Sequence, residues 1–365
     1  MGLFDNIVTS FKSGAANGVV GIDIGSASMK VVELQEKKGV LTLSTYGEIQ
    51  LGPYARKAVG ESVMLDKTAE QEALVDIIRE SNVQAKNGVF AMPLSSSFVT
   101  NVSIEAGPDD DVSSMVRVEA RKVIPASLSE VTLDWAEVEV ANKEKKDKDK
   151  DSEEENVRNI LIASIQNSAL ERFNNLMRFV GLNKPPTEIE CFSTIRSLHG
   201  DEENIAIIDI GATSSKLYIV RKGLLMRMYR IRAGGAVATS KIAEQNNLDF
   251  TEAENQKLNT HREAEDFAEL KRAHDSCYGR AFREFNQVIR EYENKTSNVI
   301  TSIYLSGGGA QFPGIDMQLK DVLSRDVVLA NPFSKVSHPA FMDDYLKEIG
   351  PSFTVALGAA LRAFE

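Results

Sequence analysis

Residues 19–32, VVGIDIGSASMKVV, and residues 205–220, IAIIDIGATSSKLYIV, repeat one pattern. Each is a β-branched apolar run that meets an Asp, then Ile-Gly, then small and hydroxyl residues, then a Lys seven positions after the Asp: Asp23 with Lys30, and Asp209 with Lys216. The run before each Asp has the length of a buried strand, and the apolar pattern resumes after Gly25 or Gly211 as a second strand, which predicts two β-hairpins. Glycine opens turn conformations closed to other residues, and Ser26, Ser28, Thr213 and Ser214 surround the turns with hydroxyls and unhindered N–H groups. Such a turn forms a concave nest suited to a phosphate. A carboxylate at the strand end repels phosphate, so the natural partner of Asp23 and Asp209 is a divalent cation held through water. A single copy reads as well as an ordinary hairpin. Two copies, one in each half of the chain, suggest a duplicated domain with a nucleotide held between the halves.

A third stretch, IYLSGGGAQFPG at 303–314, is a strand running into the triple glycine Gly307, Gly308 and Gly309, whose backbone can approach a base and ribose closely. Together the three stretches resemble the phosphate and adenosine motifs of the actin-like ATPase superfamily. The resemblance implies an α/β architecture, a duplicated actin-like (RNase H-like) ATPase fold. It also implies ATP and Mg²⁺ between the halves.

Composition narrows the alternatives. A chain of 365 residues is enough for two or three domains, and a net charge of −11 argues against a sequence-independent nucleic-acid binder. Cys191 and Cys277 lack metal-ligand or redox spacing, so neither a disulfide framework nor a zinc site is expected. With no apolar run of membrane-spanning length and no signal-peptide core, the expected location is cytoplasmic. Residues 1–18 place Leu3, Phe4, Ile7, Val8 and Phe11 on one face of a short helix, for docking on a membrane or partner, or for packing on its own domain.

Between the repeats, strands are expected at 40–49 and 89–92 around a helix at 66–81 with Ala69, Ala73, Val75, Ile77 and Ile78 on its apolar side. Residues 94–186 then read strand, helix, strand, strand, helix: a small inserted α+β (SHS2-like) subdomain, with the charge run 143–155 as a solvated loop. A helix over 188–198 leads to the second repeat. In the superfamily a polar residue at the start of this helix can position the attacking water, and Glu190 stands nearest that place; a solvent-facing Glu favoured by the helix dipole is the plainer reading.

Past the second hairpin come a strand at 224–231, a helix at 236–245, and DFTEAENQKLN at 249–259, with Thr251 as helix cap. Its Ala253, Glu254 and Lys257 resemble the segment that contacts adenine and ribose in FtsA-like and DnaK-type members, and Glu254 with Lys257 is also an ordinary i,i+3 pair. Residues 264–293 read as helical, interrupted near Gly279. The small-residue helix that ends the chain suits close packing on the first half.

The insert's position after 89–92 resembles the FtsA/PilM branch, and chain length and domain order are most similar to the PilM family of type IV pilus assembly. The resemblance implies subdomain 1A at 19–93, completed by about 187–204 and 351–365, with 1C at 94–186. It implies 2A at 205–235 and 295–350, and 2B at 236–294. Carried over residue by residue, it implies Gly25, Ser26, Ser28, Gly211, Ala212 and Thr213 as phosphate-turn residues, Lys30 and Lys216 as phosphate-side cations, and Gly307 to Gly309 with Glu254 and Lys257 along the nucleoside. The implied role is an ATP-binding scaffold, peripheral at the inner membrane's cytoplasmic face, whose groove takes the N-terminal peptide of a PilN-like partner of the assembly platform. Self-association is left open. Two rivals are an FtsA-like filament-forming ATPase and a small-molecule kinase of the same fold. With no water-positioning candidate besides Glu190, turnover is expected to be slow or absent.

Overall fold

The computed structural model describes residues 18–138, 157–183, 187–200 and 204–365. The amphipathic stretch 1–17 and the charge run 143–155 lie outside them. The first half opens with β1 (Val19–Ile24), β2 (Ser28–Lys37) and β3 (Val40–Gln50), followed by α1 (Lys67–Glu80) and β4 (Asn87–Met92). The insert supplies β5 (Ser97–Glu105), α2 (Val112–Val123), β6 (Val131–Glu137), β7 (Val157–Gln166) and α3 (Asn167–Phe179). The chain returns through β8 (Glu188–Ile189) and α4 (Glu190–Leu198). The second half repeats the plan with β9 (Asn204–Ile210), β10 (Ser215–Arg221) and β11 (Leu224–Ile231). Helices α5 (Gly235–Asn246), α6 (Phe250–Asn259) and α7 (Phe267–Thr296) come next. Then follow β12 (Ser302–Ser306), α8 (Ile315–Leu323), β13 (Val328–Leu329) and α9 (Asp343–Leu361).

Two sheets share one topology. The first runs β3-β2-β1-β4-β8 and the second β11-β10-β9-β12-β13, with the hairpin strands antiparallel and the last pairings parallel. The likeness extends to a defect: the β2–β3 register slips between Glu33 and Leu34, and the β10–β11 register slips between Ile219 and Val220, each three residues beyond its Lys. Both outer hairpins turn through Lys-Gly, Lys38-Gly39 and Lys222-Gly223, with positive φ at all four residues, the backbone of a two-residue turn that matches strand twist.

Continuous apolar runs form β1 and β9 because both faces are covered. Ile205 and Ile207 face the cluster that holds Ile195 and Leu198 of α4, while Ala206, Ile208 and Ile210 face Tyr278, Phe282 and Phe285 of α7. On the first sheet Val20 and Ile22 join α1 and Phe173 of α3, whereas Val32 and Leu34 meet Phe353, Ala356 and Leu357 of α9 in a cluster that Phe333, Val336 and Leu346 also join. Helix α9 lies so close that a Cβ at Gly21 would stand 2.0 Å from the Ala356 carbonyl oxygen, and one at Gly358 would stand 1.8 Å from that of Ser193 in α4. The two crossing helices therefore touch backbone to backbone.

Four local expectations are corrected. Residues 188–189 form a strand on β4, and the helix begins only at Glu190. The cap of α6 is Asp249, whose side chain accepts from Glu252 N–H while Glu252 bonds back to the Asp249 N–H; Thr251 lies inside the helix. Helix α7 runs unbroken past Gly279, because Ala273, Cys277, Tyr278, Ala281, Phe282 and Phe285 bury a continuous stripe whose packing outweighs the propensity cost of one glycine, about 1 kcal/mol. On α1 the inward face is Ala73, Leu74 and Ile77, with Val75 turned out to 39 % exposure.

Candidate functional site

A cleft of about 870 Å³ opens between the two sheets. Its walls take in Asp23, Gly25, Ser26, Ser28 and Lys30 from the first hairpin, with Asp209, Gly211, Ala212, Thr213 and Lys216 from the second. Glu190, Glu254, Lys257 and Gly307, Gly308 and Gly309 complete them, so the predicted phosphate, metal and nucleoside residues line one cavity, except Ala253, which is buried in a neighbouring core.

The two turns close alike. Gly25 N–H donates to the Ser28 carbonyl and Gly211 N–H to the Ser214 carbonyl, both at 3.0 Å. Neither glycine has a positive φ. Gly25 is required for space instead, since a Cβ there would stand 2.9 Å from the Ser28 oxygen; at Gly211 the same approach is 3.3 Å. Each turn is braced from behind: Val63 N–H donates to the Ser26 carbonyl at 2.8 Å, and Gly235 and Ala236 at the start of α5 donate to the Gly211 and Ala212 carbonyls at 2.9 Å.

The triple glycine divides its duties. Gly307, with φ +87°, donates to the Pro351 carbonyl of α9 at 2.7 Å, and a Cβ on it would reach 2.3 Å from the Ile210 oxygen. Gly309 packs equally hard on Ile210, whereas Gly308 has nothing within 4 Å of its Cβ position. Close approach to the protein's own second hairpin, rather than to a ligand, explains Gly307 and Gly309.

Charge is arranged along one rung of each sheet. In the first half the rung reads Glu48, Lys30, Asp23, Ala91; in the second it reads Arg230, Lys216, Asp209, Ser306. Lys30 leans away from its Asp, to Glu48 at 3.1 Å and the Ser28 hydroxyl at 2.6 Å. Lys216 leans inward, to Asp209 at 3.2 Å and Glu190 at 2.9 Å. Cross-strand neighbours decide this: Glu48 attracts its lysine outward, and Arg230 repels its own. Asp23 is left without its lysine's direct contact, and burial pushes its carboxyl up to about 6, against the attraction of Lys30 and with the help of Glu190. Although burial opposes its charge, Lys216 is held above the ordinary lysine range by Glu190 and Asp209.

Glu190 is buried and not solvent-facing. One carboxylate oxygen accepts from Leu94 N–H at 2.8 Å, at the entry to the insert, and the other from Lys216. It thereby ties both halves together at the floor of the cleft. Glu254 and Lys257 likewise exceed a surface pair: Glu254 is buried and its ion pair to the half-buried Lys257 is 2.6 Å, Lys257 also donates to the Thr239 hydroxyl at 2.8 Å, and Gly60 of the first half packs against the Glu254 carboxylate. Burial lowers the Lys257 ammonium from its usual range.

Arg230, Glu48, Gly60, Thr239 and Ser306 were missed in the sequence. Register counting from the repeated Lys-Gly turns does not reach Arg230 and Glu48, because each strand pair slips by one residue before the lysine. Direct metal ligation finds no support: among the described residues no group of three or more His, Cys, Asp or Glu is placed to hold an ion. Asp23 is open to a hydrated cation, whereas Asp209 already faces Lys216.

Comparison with known proteins agrees with this plan. The chain is similar to a chain of the solved PilM-PilN type IV pilus biogenesis complex, with a TM-score of 0.77 and 22% identity over 95% of this chain and 98% of that one. It is similar in fold to the ethanolamine utilization protein EutJ from Carboxydothermus hydrogenoformans, with a TM-score of 0.53 and 14% identity over 94% and 89% of the two chains. It is also similar to MreB 5 of Spiroplasma citri bound to AMPPNP, with a TM-score of 0.50 and 14% identity over 95% of each. Among the described residues no helix is long and apolar enough to cross a membrane. The family model for the type IV pilus assembly protein PilM matches residues 21–364, and the chain, an actin-like duplicated α/β protein, belongs to that family.

Proposed function

We propose that this member of the pilus assembly family is an ATP-binding scaffold at the cytoplasmic face of the inner membrane. Its nucleotide state tunes docking of the cytoplasmic N-terminal peptide of a PilN-like partner. The observation that carries the reading is the convergence of both Asp-turn-Lys hairpins, Glu190, the Glu254–Lys257 pair and the glycine turn on one cleft. The structure of MreB 5 with AMPPNP and that of the PilM-PilN complex support nucleotide and partner respectively.

In this reading the two turns receive the phosphates and Lys30 and Lys216 balance their charge, while Gly308 with Glu254 and Lys257 line the nucleoside. Mg²⁺, when bound, neutralises phosphate charge, and Asp23 would hold it through its water shell. Because walls from both halves touch one ligand, occupancy biases the angle between them. The insert follows, since Glu190 holds Leu94 at its entry and Asn101 on β5 donates to the Leu225 and Met226 carbonyls of β11, both at 2.8 Å. Turnover is slow, as both Glu190 oxygens are engaged.

Calorimetric titration of the full chain with ATP, alone and with the partner peptide, tests this. Binding that Asp23→Ala weakens, and peptide affinity that ATP changes, are the expected results. An absence of ATP binding by the wild type would refute nucleotide control and leave the peptide groove to carry the function.

A further inference from the structure

The cleft floor carries Asp23, Glu190 and Asp209, three carboxylates facing the space where phosphates are proposed to sit. A polyphosphate meeting them bare would be repelled, and a divalent ion is one remedy. The chain contains another. Lys216 sits between Glu190 and Asp209 at 2.9 and 3.2 Å, its side chain 12 % exposed, in the space a cation would take to serve both carboxylates. Its place follows from the rung it stands on. Arg230 lies opposite on β11 and is itself directed to the Ser214 hydroxyl at 3.1 Å, so the lysine cannot relax outward without meeting like charge. In the first half the residue opposite the lysine is Glu48, and there the lysine does lean outward. An ammonium group has three protons, and two are taken by the carboxylates, leaving one for a phosphate oxygen.

We propose that Lys216 is a resident cation that takes the divalent ion's part on the Asp209 face of the cleft, so that nucleoside triphosphate binds this chain without a divalent ion. The proposal rests on the nucleotide reading above and specifies its cation requirement. Lys216 acts on charge and position only; no bond is made or broken. An ammonium already held by two carboxylates and largely out of water sheds little hydration on engaging a phosphate, whereas Mg²⁺ gives up its waters reluctantly.

The test is calorimetric binding of ATP to the full chain in buffer with MgCl2 and in buffer with excess EDTA, the ratio of the two affinities being the readout. Wild type is expected to weaken by less than about threefold on chelation, and Lys216→Gln by at least about tenfold. Loss of Lys216 leaves two buried carboxylates and can impair folding, so Arg230→Glu serves as a second variant. It keeps Asp23, Glu190, Asp209 and both lysines, trades the cleft-lining Arg230 for an anion that draws Lys216 outward as Glu48 draws Lys30, and is expected to gain the same dependence on Mg²⁺. Wild-type binding that needs Mg²⁺ overturns the proposal, as does a chelation ratio in both variants equal to that of wild type. ATP binding by wild type in neither buffer removes the nucleotide reading itself, and the proposal with it.

Discussion

The first and second hairpins carry the same Asp and Lys at the same rung of equivalent sheets, yet the electrostatic outcome differs. Lys30 is drawn toward Glu48 at the rim, and Asp23 stays open with a raised pKa. Lys216 is driven inward by Arg230, and Asp209 is paired. A duplicated backbone thus yields one carboxylate free to meet a ligand and one already neutralised. The difference lies in the outermost strand of each hairpin, one residue from the motif in space and far from it in sequence.

The joint that both repeats share offers the largest perturbation. Gly358→Val would force α9 away from the Ser193 backbone and is expected to cost more than about 4 kcal/mol, seen as a large fall in melting temperature or loss of soluble protein. Unchanged melting would mean that the crossing helices are not packed backbone to backbone.

The lysines come next. Lys216→Met leaves two buried carboxylates without their cation and is expected to cost about 3–5 kcal/mol in urea unfolding at neutral pH. Lys30→Met should cost only about 1 kcal/mol, since its partner Glu48, 33 % exposed, can rehydrate. Equal losses would erase the asymmetry between the rungs.

The two aspartates should move stability in opposite directions. The Asp23 carboxyl titrates higher in the folded chain than unfolded, so the folded state holds its proton over the window from about 4 to 6 and loses relative stability as pH rises through it. Asp23→Asn should therefore stabilise the ligand-free chain at pH 7.5, by on the order of 1–2 kcal/mol, and the gain should vanish at and below about pH 4. Asp209→Asn, which strips Lys216 of a partner, should destabilise at pH 7.5. Denaturant curves at the two pH values decide the point; a gain for Asp23→Asn that grows on acidification would contradict the burial argument.

The turn glycines give the smallest contrast. Gly25→Ala meets a carbonyl at 2.9 Å and should cost about 1–2 kcal/mol, while Gly211→Ala, at 3.3 Å, should stay within about 1 kcal/mol. Melting temperatures in the reverse order would show that the two turns are not built alike.

Much of this was legible in the chain. Local patterns marked both hairpins, the insert and the glycine turn, because a buried strand ending in Asp-x-Gly declares itself within a dozen residues. The resemblance added Glu190, Glu254 and Lys257, which short patterns alone would have left as helix-surface charge. Gly279 and Thr251 misled because propensity and capping preferences are weak beside the buried stripe of α7 and the reciprocal Asp249–Glu252 cap.

By itself the sequence determined where the two motifs lie, that they are copies, and which groups each brings. Only the tertiary structure decided where those charges point. Counting back from the Lys-Gly turns would set Lys30 opposite Gly47 and Lys216 opposite Tyr229; the bulges after Glu33 and Ile219 slip the register by one residue and install Glu48 and Arg230. A one-residue slip turns the outer strand's side chains to the other face, and with them the sign of the charge that each lysine feels.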